Sequence, residues 1–363
     1  MRFKRLQIEG GDSYVLGLVR VGIGVLLFWQ ALGSARELAD VGWFGDHFHM
    51  PLIPEALVAQ RSIYVVLVAM RLLFAAMATV GQGARVGLFG SGLLGVYAIL
   101  SDRLEYHHNR YALFIFAFLL SFAPCERAFS IIGSPDMSRQ GPLWAQRLAQ
   151  AQVSILYLAS GAAKLLDADW RAGVVISDRL TKHTWMAVEH GVPQRWIEFL
   201  AQPAVSSALA KGTIATELFL PLALWIPRTR IFSLWLAVWF HLIIQVTSQV
   251  ETFSLLMWLG LALFATPDVH ARKLFYDPSR ALGGIYARIV GMLDWLARFE
   301  IKSWEPDDIK GHHLVVVRRD GTRATGIRAL AMVARSTPLL FPLWLPIALV
   351  ASFTHGGDAS TRS

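Results

Sequence analysis

Apolar runs of membrane-spanning length recur between residues 13 and 266, and they limit the fold more than any other feature of the chain. A bilayer-crossing helix needs about 20 mainly apolar residues, and its backbone must bond internally because the hydrocarbon core holds no water. SYVLGLVRVGIGVLLFWQALG (13–33) meets that length, and further runs follow at 62–81, 86–100, 107–123, 148–166, 212–227, 231–247 and 252–266. The pattern predicts an all-α polytopic membrane protein with eight transmembrane helices. Composition agrees: 55% of the residues are hydrophobic and only 17% charged, where soluble domains carry about a quarter. Thirteen tryptophans and 21 phenylalanines suit the aromatic belts of the two membrane interfaces.

Loop charges set the expected orientation. With the N-terminus inside, the inner segments carry Arg2, Lys4 and Arg5; Arg85; Arg127, Arg139 and Arg147; Arg228 and Arg230; then Arg272, Lys273 and Arg280. The outer segments are acidic (34–61) or balanced (167–211). This is a positive-inside pattern, and it predicts cytoplasmic termini for a multi-pass protein. The net charge of +8 then belongs to cytoplasmic loops and calls for no nucleic-acid partner. MRFKR leads into the first run without a short apolar region and small-residue cleavage site, so that run is expected to be an uncleaved anchor. A single cysteine, Cys125, excludes an intramolecular disulfide and a CxxC redox or zinc site.

This topology delivers polar groups from separate segments to the outer face. His107, His108 and Asn109 open the fourth span, and Lys164 closes the fifth. His241 and Gln245 lie in the outer half of the seventh, with Gln249 and Glu251 in the next turn. Arg20, Arg71, Glu217 and His241 fall inside apolar runs, where a charge costs about 2.5–3.5 kcal/mol on insertion scales. Such groups face the bundle interior and pair, or lose their charge. Arg20 and Arg71 read as ties between helices. Glu217 reads as a partner for one of those arginines or as the wall of a cavity, and His241 as a bonded core histidine or a site residue. Lys164 has two open readings. It is a helix end that snorkels to the interface beside Asp167, Asp169 and Trp170, or a desolvated amine serving as a general base. The adjacent His107 and His108 diverge on a helix and lack the i,i+4 spacing of metal ligands, so no metal site is expected.

ILYLASGAAKLLDADWRAG (155–173) resembles the signature of the HTTM family, the membrane domain shared with vitamin K-dependent γ-glutamyl carboxylase. That signature is Tyr-x-x-Ala/Ser-Gly-x-x-Lys-Leu followed closely by Trp. LGLVRVGIGVLLFWQAL (16–32), YHHNRYALFIFAFLLSFAPCERAFSI (106–131) and FHLIIQVTSQVETFSLLMW (240–258) are similar to other family segments in the same order. The resemblance implies a lysine base that deprotonates a reduced quinone. Lys164 matches that base in the Gly-x-x-Lys spacing, while alignment on Asp-Ala-Asp-Trp puts Leu165 there. Asn109 rather than His108 falls opposite the carboxylase's histidine when the next tyrosine is aligned, and His241 matches directly. The carboxylase's long peptide-gripping lumenal region has no counterpart in residues 267–363, so γ-glutamyl carboxylation itself is not expected.

The sequence thus divides into a transmembrane domain (13–270), an amphipathic interfacial helix (271–300), a small α+β segment (301–354) and a disordered tail (355–363). In the interfacial helix, Ile285, Ile289, Met292, Leu293 and Leu296 recur at helical spacing. In 313–326 an Asp-Gly turn sits between β-branched runs and predicts a hairpin. This tail resembles the second half of the thioredoxin-like DCC family without the half that bears paired cysteines. The leading functional expectation is a membrane enzyme acting on a quinone-like or other lipid-soluble substrate. Lys164 would be its base, Asn109 and His241 would orient or polarise the substrate, and His108, Glu217, Gln245, Asp167, Asp169 and Trp170 would border it. The alternative is a non-catalytic binding or partner-scaffold protein. A transporter is disfavoured, because the sequence has no inverted repeat or pair of Gly/Pro-broken helices.

Overall fold

The computed structural model describes residues 10–11, 13–43, 45, 47–131, 141–182, 184–189, 191–247, 250, 252–265, 272–294, 298–303, 314–318 and 321–353. The chain forms two compact units, Met1–Trp225 with Leu236–Phe264, and Ile226–Trp235 with Ala265–Ser363.

Among its described residues, the first unit's only strands are a two-residue antiparallel pair, β1 (Gly10–Gly11) with β2 (Gly141–Pro142). Helices α1 (Ser13–Asp40), α2 (Arg61–Val80), α3 (Ala84–Ser101) and α4 (His108–Leu120) pack in sequence order. α5 (Leu143–Leu166) follows, then four short helices, α6 (Ala168–Ala172), α7 (Val174–Lys182), α8 (Thr184–Glu189) and α9 (Gln194–Leu200). α10 (Pro203–Ala223) returns against α5, and α11 (Arg230–Thr247), whose first six residues fall in the second unit, and α12 (Phe253–Ala262) complete the set.

Among the described residues, α1, α2, α3 and α11 are long and apolar enough to cross a membrane. The other four apolar runs take different forms. The 107–123 run yields only 13 helical residues and the last run only 10, so neither reaches the roughly 30 Å of a hydrocarbon core at about 1.5 Å per residue. The runs at 148–166 and 212–227 sit in longer helices that begin at Leu143 and Pro203. These two are long enough but interrupted by polar side chains. Gln146 and Gln150 of α5 both donate to the carbonyl of Leu263, at 2.9 and 2.7 Å, just beyond the end of α12. The 167–211 stretch forms a small helical cluster around Leu180, Ala187 and Ile197.

The buried arginines are the ties that the sequence predicts. Arg20 is fully buried on α1 and donates to four carbonyls: Ala78 (2.8 Å) and Thr79 (3.1 Å) in the last turn of α2, and Ala128 (3.0 Å) and Phe129 (2.7 Å) beyond α4. α2 ends on Gly81 at φ +94°, its N–H bonded to the Met77 carbonyl, a left-handed cap that glycine takes without the strain of a Cβ. A Cβ there would also stand 2.6 Å from the Arg20 guanidinium. Arg71 of α2 donates to Gln30 of α1 and lies 5.3 Å from the Phe114 ring of α4.

The second unit corrects the expected boundaries. Residues 272–303 do not form one interfacial helix. They form a strand, a helix and a strand: β3 (Arg272–Tyr276) and β4 (Phe299–Ser303) pair in parallel, joined by α13 (Ala281–Leu293). β5 (Leu314–Val317) lies antiparallel to β3, and β6 (Arg323–Thr325) closes the predicted hairpin, giving the order β4-β3-β5-β6. The sheet therefore draws two of its four strands from residues assigned on sequence to, or at the edge of, an interfacial helix. α14 (Gly326–Ser336) and α15 (Phe341–Phe353) follow. Leu274, Val316, Phe299 and Leu314 of the sheet pack against Ala287 and Val290 of α13 and Ala329 and Val333 of α14. The carboxylate of Asp294, which follows α13, accepts the backbone N–H groups of Arg298 (2.9 Å) and Phe299 (2.8 Å) and so fixes the start of β4. Burial raises that carboxyl's pKa above its ordinary value, opposed by these two bonds. Residues 355–363, expected to be a disordered tail, lie outside the described residues.

Candidate functional site

Lys164 occupies the last turn of α5, with 15% of its side chain exposed. Its amine meets the carboxylate of Glu217 on α10, at 2.8 Å from Oε1 and 2.6 Å from Oε2. Ser160, one turn earlier on α5, receives a bond from the amine and donates to Glu217 Oε1 at 3.2 Å. Glu217 therefore pairs with neither buried arginine. The close approach of the two helices depends on Gly161, where a Cβ would stand 3.1 Å from the Glu217 Cβ and 3.0 Å from Leu218. Small residues at helix interfaces permit such approach in membranes. Replacing Gly161 with valine is expected to force α5 and α10 apart and lower stability by about 1–3 kcal/mol. The thermal midpoint of the detergent-solubilised variant checks this, and an unchanged midpoint would mean that the neighbours yield freely.

The residues behind Lys164 take different roles. Asp167 is exposed and caps α6, accepting from the N–H groups of Asp169 (2.8 Å) and Trp170 (3.1 Å), the usual work of aspartate at a helix start. Asp169 is exposed as well. The amine of Lys164 lies 5.0 Å from the centre of the Trp170 ring, and the Arg179 guanidinium lies 5.5 Å from the same ring. The cation thus has a carboxylate and an aromatic face as partners, and the Asp167 carboxylate is spent on the chain turn.

His241 is buried on α11, and its Nε2 meets the hydroxyl of Tyr157 at 2.7 Å. The Phe240 and Phe253 rings stand edge-on to it, at 5.4 and 5.7 Å between centres. Its Nδ1 has no partner. Asn109, buried in the first turn of α4, donates to the Val250 carbonyl at 3.1 Å, and its Oδ1 is likewise unpartnered. Gln245 follows His241 by one turn, and its Oε1 also lacks a partner. His108 is exposed and stacks on His107 with ring centres 4.4 Å apart. Gln249 and Glu251 lie outside the described residues.

The structure thus joins Lys164, Glu217 and Trp170 directly, while His241 and Asn109 stand apart from them. The link between them is α5 itself. Tyr157 and Lys164 are two turns apart on one face, about 10 Å along the axis, and bond His241 and Glu217 respectively. Sequence reasoning overlooked Tyr157 and Ser160, although both stand in the Tyr-x-x-Ser-Gly-x-x-Lys stretch. It also overlooked Glu105, a buried carboxylate that accepts from Tyr64 (2.5 Å), Ser34 (3.2 Å) and Arg110 (3.0 Å). Its only signal was an acidic residue just ahead of the two histidines.

These features define a helical membrane domain with charged and hydrogen-bonding side chains paired between its helices. The family model for the HTTM domain matches residues 9–269. The chain belongs to the HTTM domain family, and the match ends before the first strand of the second unit's four-stranded sheet. No solved structure matches the chain.

Proposed function

We propose that the protein is a multi-pass membrane enzyme acting on a quinol-like or other lipid-soluble substrate with an ionisable hydroxyl, near the outer face of a bacterial inner membrane. In this reading the chain crosses eight times, the two short helices completing their crossings through the turns that follow them, where Ala123, Cys125, Leu263 and Phe264 are buried in protein, and both termini are cytoplasmic. The observation that carries the reading is the Lys164 amine, mostly shielded from solvent and bonded to both oxygens of Glu217. Moving one proton along that bond leaves a neutral amine beside a carboxylic acid. Desolvation disfavours the charged pair, which narrows the gap between the two forms. The neutral amine then takes the substrate's hydroxyl proton, Glu217 retains the first proton, and Ser160 holds both groups in register. Orphaned buried polar atoms fit such a substrate: Asn109 Oδ1 can accept from a hydroxyl, and His241 Nδ1 can bond an oxygen with its tautomer set by Tyr157.

The completeness of the Lys164–Glu217 pair favours a second reading, in which it ties α5 to α10 in a non-catalytic scaffold. Mass spectrometry of lipid-soluble compounds copurifying with the wild type and with Lys164→Ala separates the two. The enzyme reading expects a quinone-like compound held by the wild type and lost from the variant. Identical extracts without such a compound would overturn it.

A further inference from the structure

α15 has the composition of a membrane helix and about two thirds of the length. FPLWLPIALVASF carries no charged residue in 13 positions. At about 1.5 Å per residue it spans about 20 Å, short of the roughly 30 Å of a hydrocarbon core. Helices on the outside of a soluble α/β unit show water a polar face, and α14 does so with Arg328 and Arg335 exposed. α15 does not. Leu343, Leu345, Leu349, Val350 and Phe353 are each at least half exposed, Phe353 at 86%. Successive 100° steps gather these five residues within roughly 160° of arc, with buried Ala351 on the opposite side, so one continuous face of the helix is apolar and exposed.

A second observation fixes where α15 sits. Its first residue, Phe341, meets Phe232 with ring centres 6.4 Å apart. Phe232 lies in the first turn of α11, one of the four helices fit to cross the membrane. α15 therefore starts at the level where a span starts. Charge supports that level: Arg228 and Arg230 flank the start of α11, and Arg335 lies 5.3 Å from the Trp344 ring. Arginine beside tryptophan suits the headgroup layer. Residues 354–363 carry Asp358 and Arg362, which resist burial at the bilayer centre. Both ends of α15 thus belong at the interface, and the helix lies along the leaflet.

We infer that α15 is an in-plane membrane insertion, its exposed leucines and Phe353 covered by acyl chains of the leaflet in which α11 begins. This anchor is separate from the Lys164 site and is tested without it. Full-length Leu345→Cys, Leu349→Cys and Phe353→Cys variants, with Arg328→Cys as the aqueous control, are spin-labelled in phosphatidylethanolamine–phosphatidylglycerol nanodiscs. Cys125 is buried and stays in place. Collision with oxygen, which concentrates in lipid, is compared with collision with a water-soluble nickel complex. Oxygen is expected to exceed nickel several-fold at the three α15 positions, with the reverse at position 328. Nickel dominance on α15 would overturn the insertion. Exclusion of both reagents would overturn it too, since protein, including a second copy of the chain, would then be the cover.

Discussion

Arg20→Lys is expected to lower the stability of the bundle by about 3 kcal/mol, although the charge is kept. The guanidinium reaches two pairs of carbonyls at once, Ala78 with Thr79 and Ala128 with Phe129. Ala78 and Thr79 are in the last turn of α2, where carbonyls have no partner within the helix. A planar fork of five donors satisfies both pairs from one position, while a lysine ammonium is a compact group with three. Lysine that caps one pair leaves two buried carbonyls unpaired, at about 1–3 kcal/mol each. Arg20→Ala removes all four bonds and opens a cavity in a fully buried place, so it should cost more. Thermal midpoints of the purified variants check the order wild type, lysine, alanine. A lysine variant as stable as the wild type would mean that ordered water replaces the lost bonds.

Arg20 also marks how far the sequence could be read. An arginine inside an apolar run has to find partners, so its role as a tie was legible, while its partners are 58 to 109 residues away in the chain and were not. The same holds for Glu217, whose partner Lys164 is 53 residues distant; the sequence offered two arginines as equally reasonable mates. The span pattern was readable because hydropathy is local. It overstated α4, because the helix ends at Leu120 ahead of Pro124. In 281–293 the periodicity was real, and it was seen from one side. Ile285, Ile289 and Met292 share the exposed side, while Gly283, Ala287 and Val290 are buried. Small residues let a helix lie close on a sheet, and a reading that follows the largest side chains sees the exposed apolar side and not the packed one. The sheet was half legible, since the Asp-Gly turn announces β5 and β6 but parallel pairing of β3 with β4 is non-local.

The largest effect at the candidate site is expected from breaking the Lys164–Glu217 pair on one side only. Lys164→Met leaves a carboxylate with 7% exposure and no cation, at about 3–5 kcal/mol. Glu217→Leu should cost less, because the lysine keeps 15% exposure and a flexible stem that can carry its amine to the interface. The double variant Lys164→Met/Glu217→Leu removes both charges and should return close to wild-type stability, since apolar replacements of similar volume are often neutral for buried ion pairs. Thermal midpoints of all four proteins give the coupling directly. Near-additive losses would instead mean that solvent reaches the pair and the helices do not depend on it. The double variant also separates tie from base in a way that no single substitution can. Its fold is intact and its amine is gone, so a compound retained by the wild type and missing from the double variant tracks the chemistry of Lys164 rather than the packing of α5 on α10. A double variant that keeps the compound would assign the pair to the scaffold and move the search to the unpartnered atoms of His241 and Asn109.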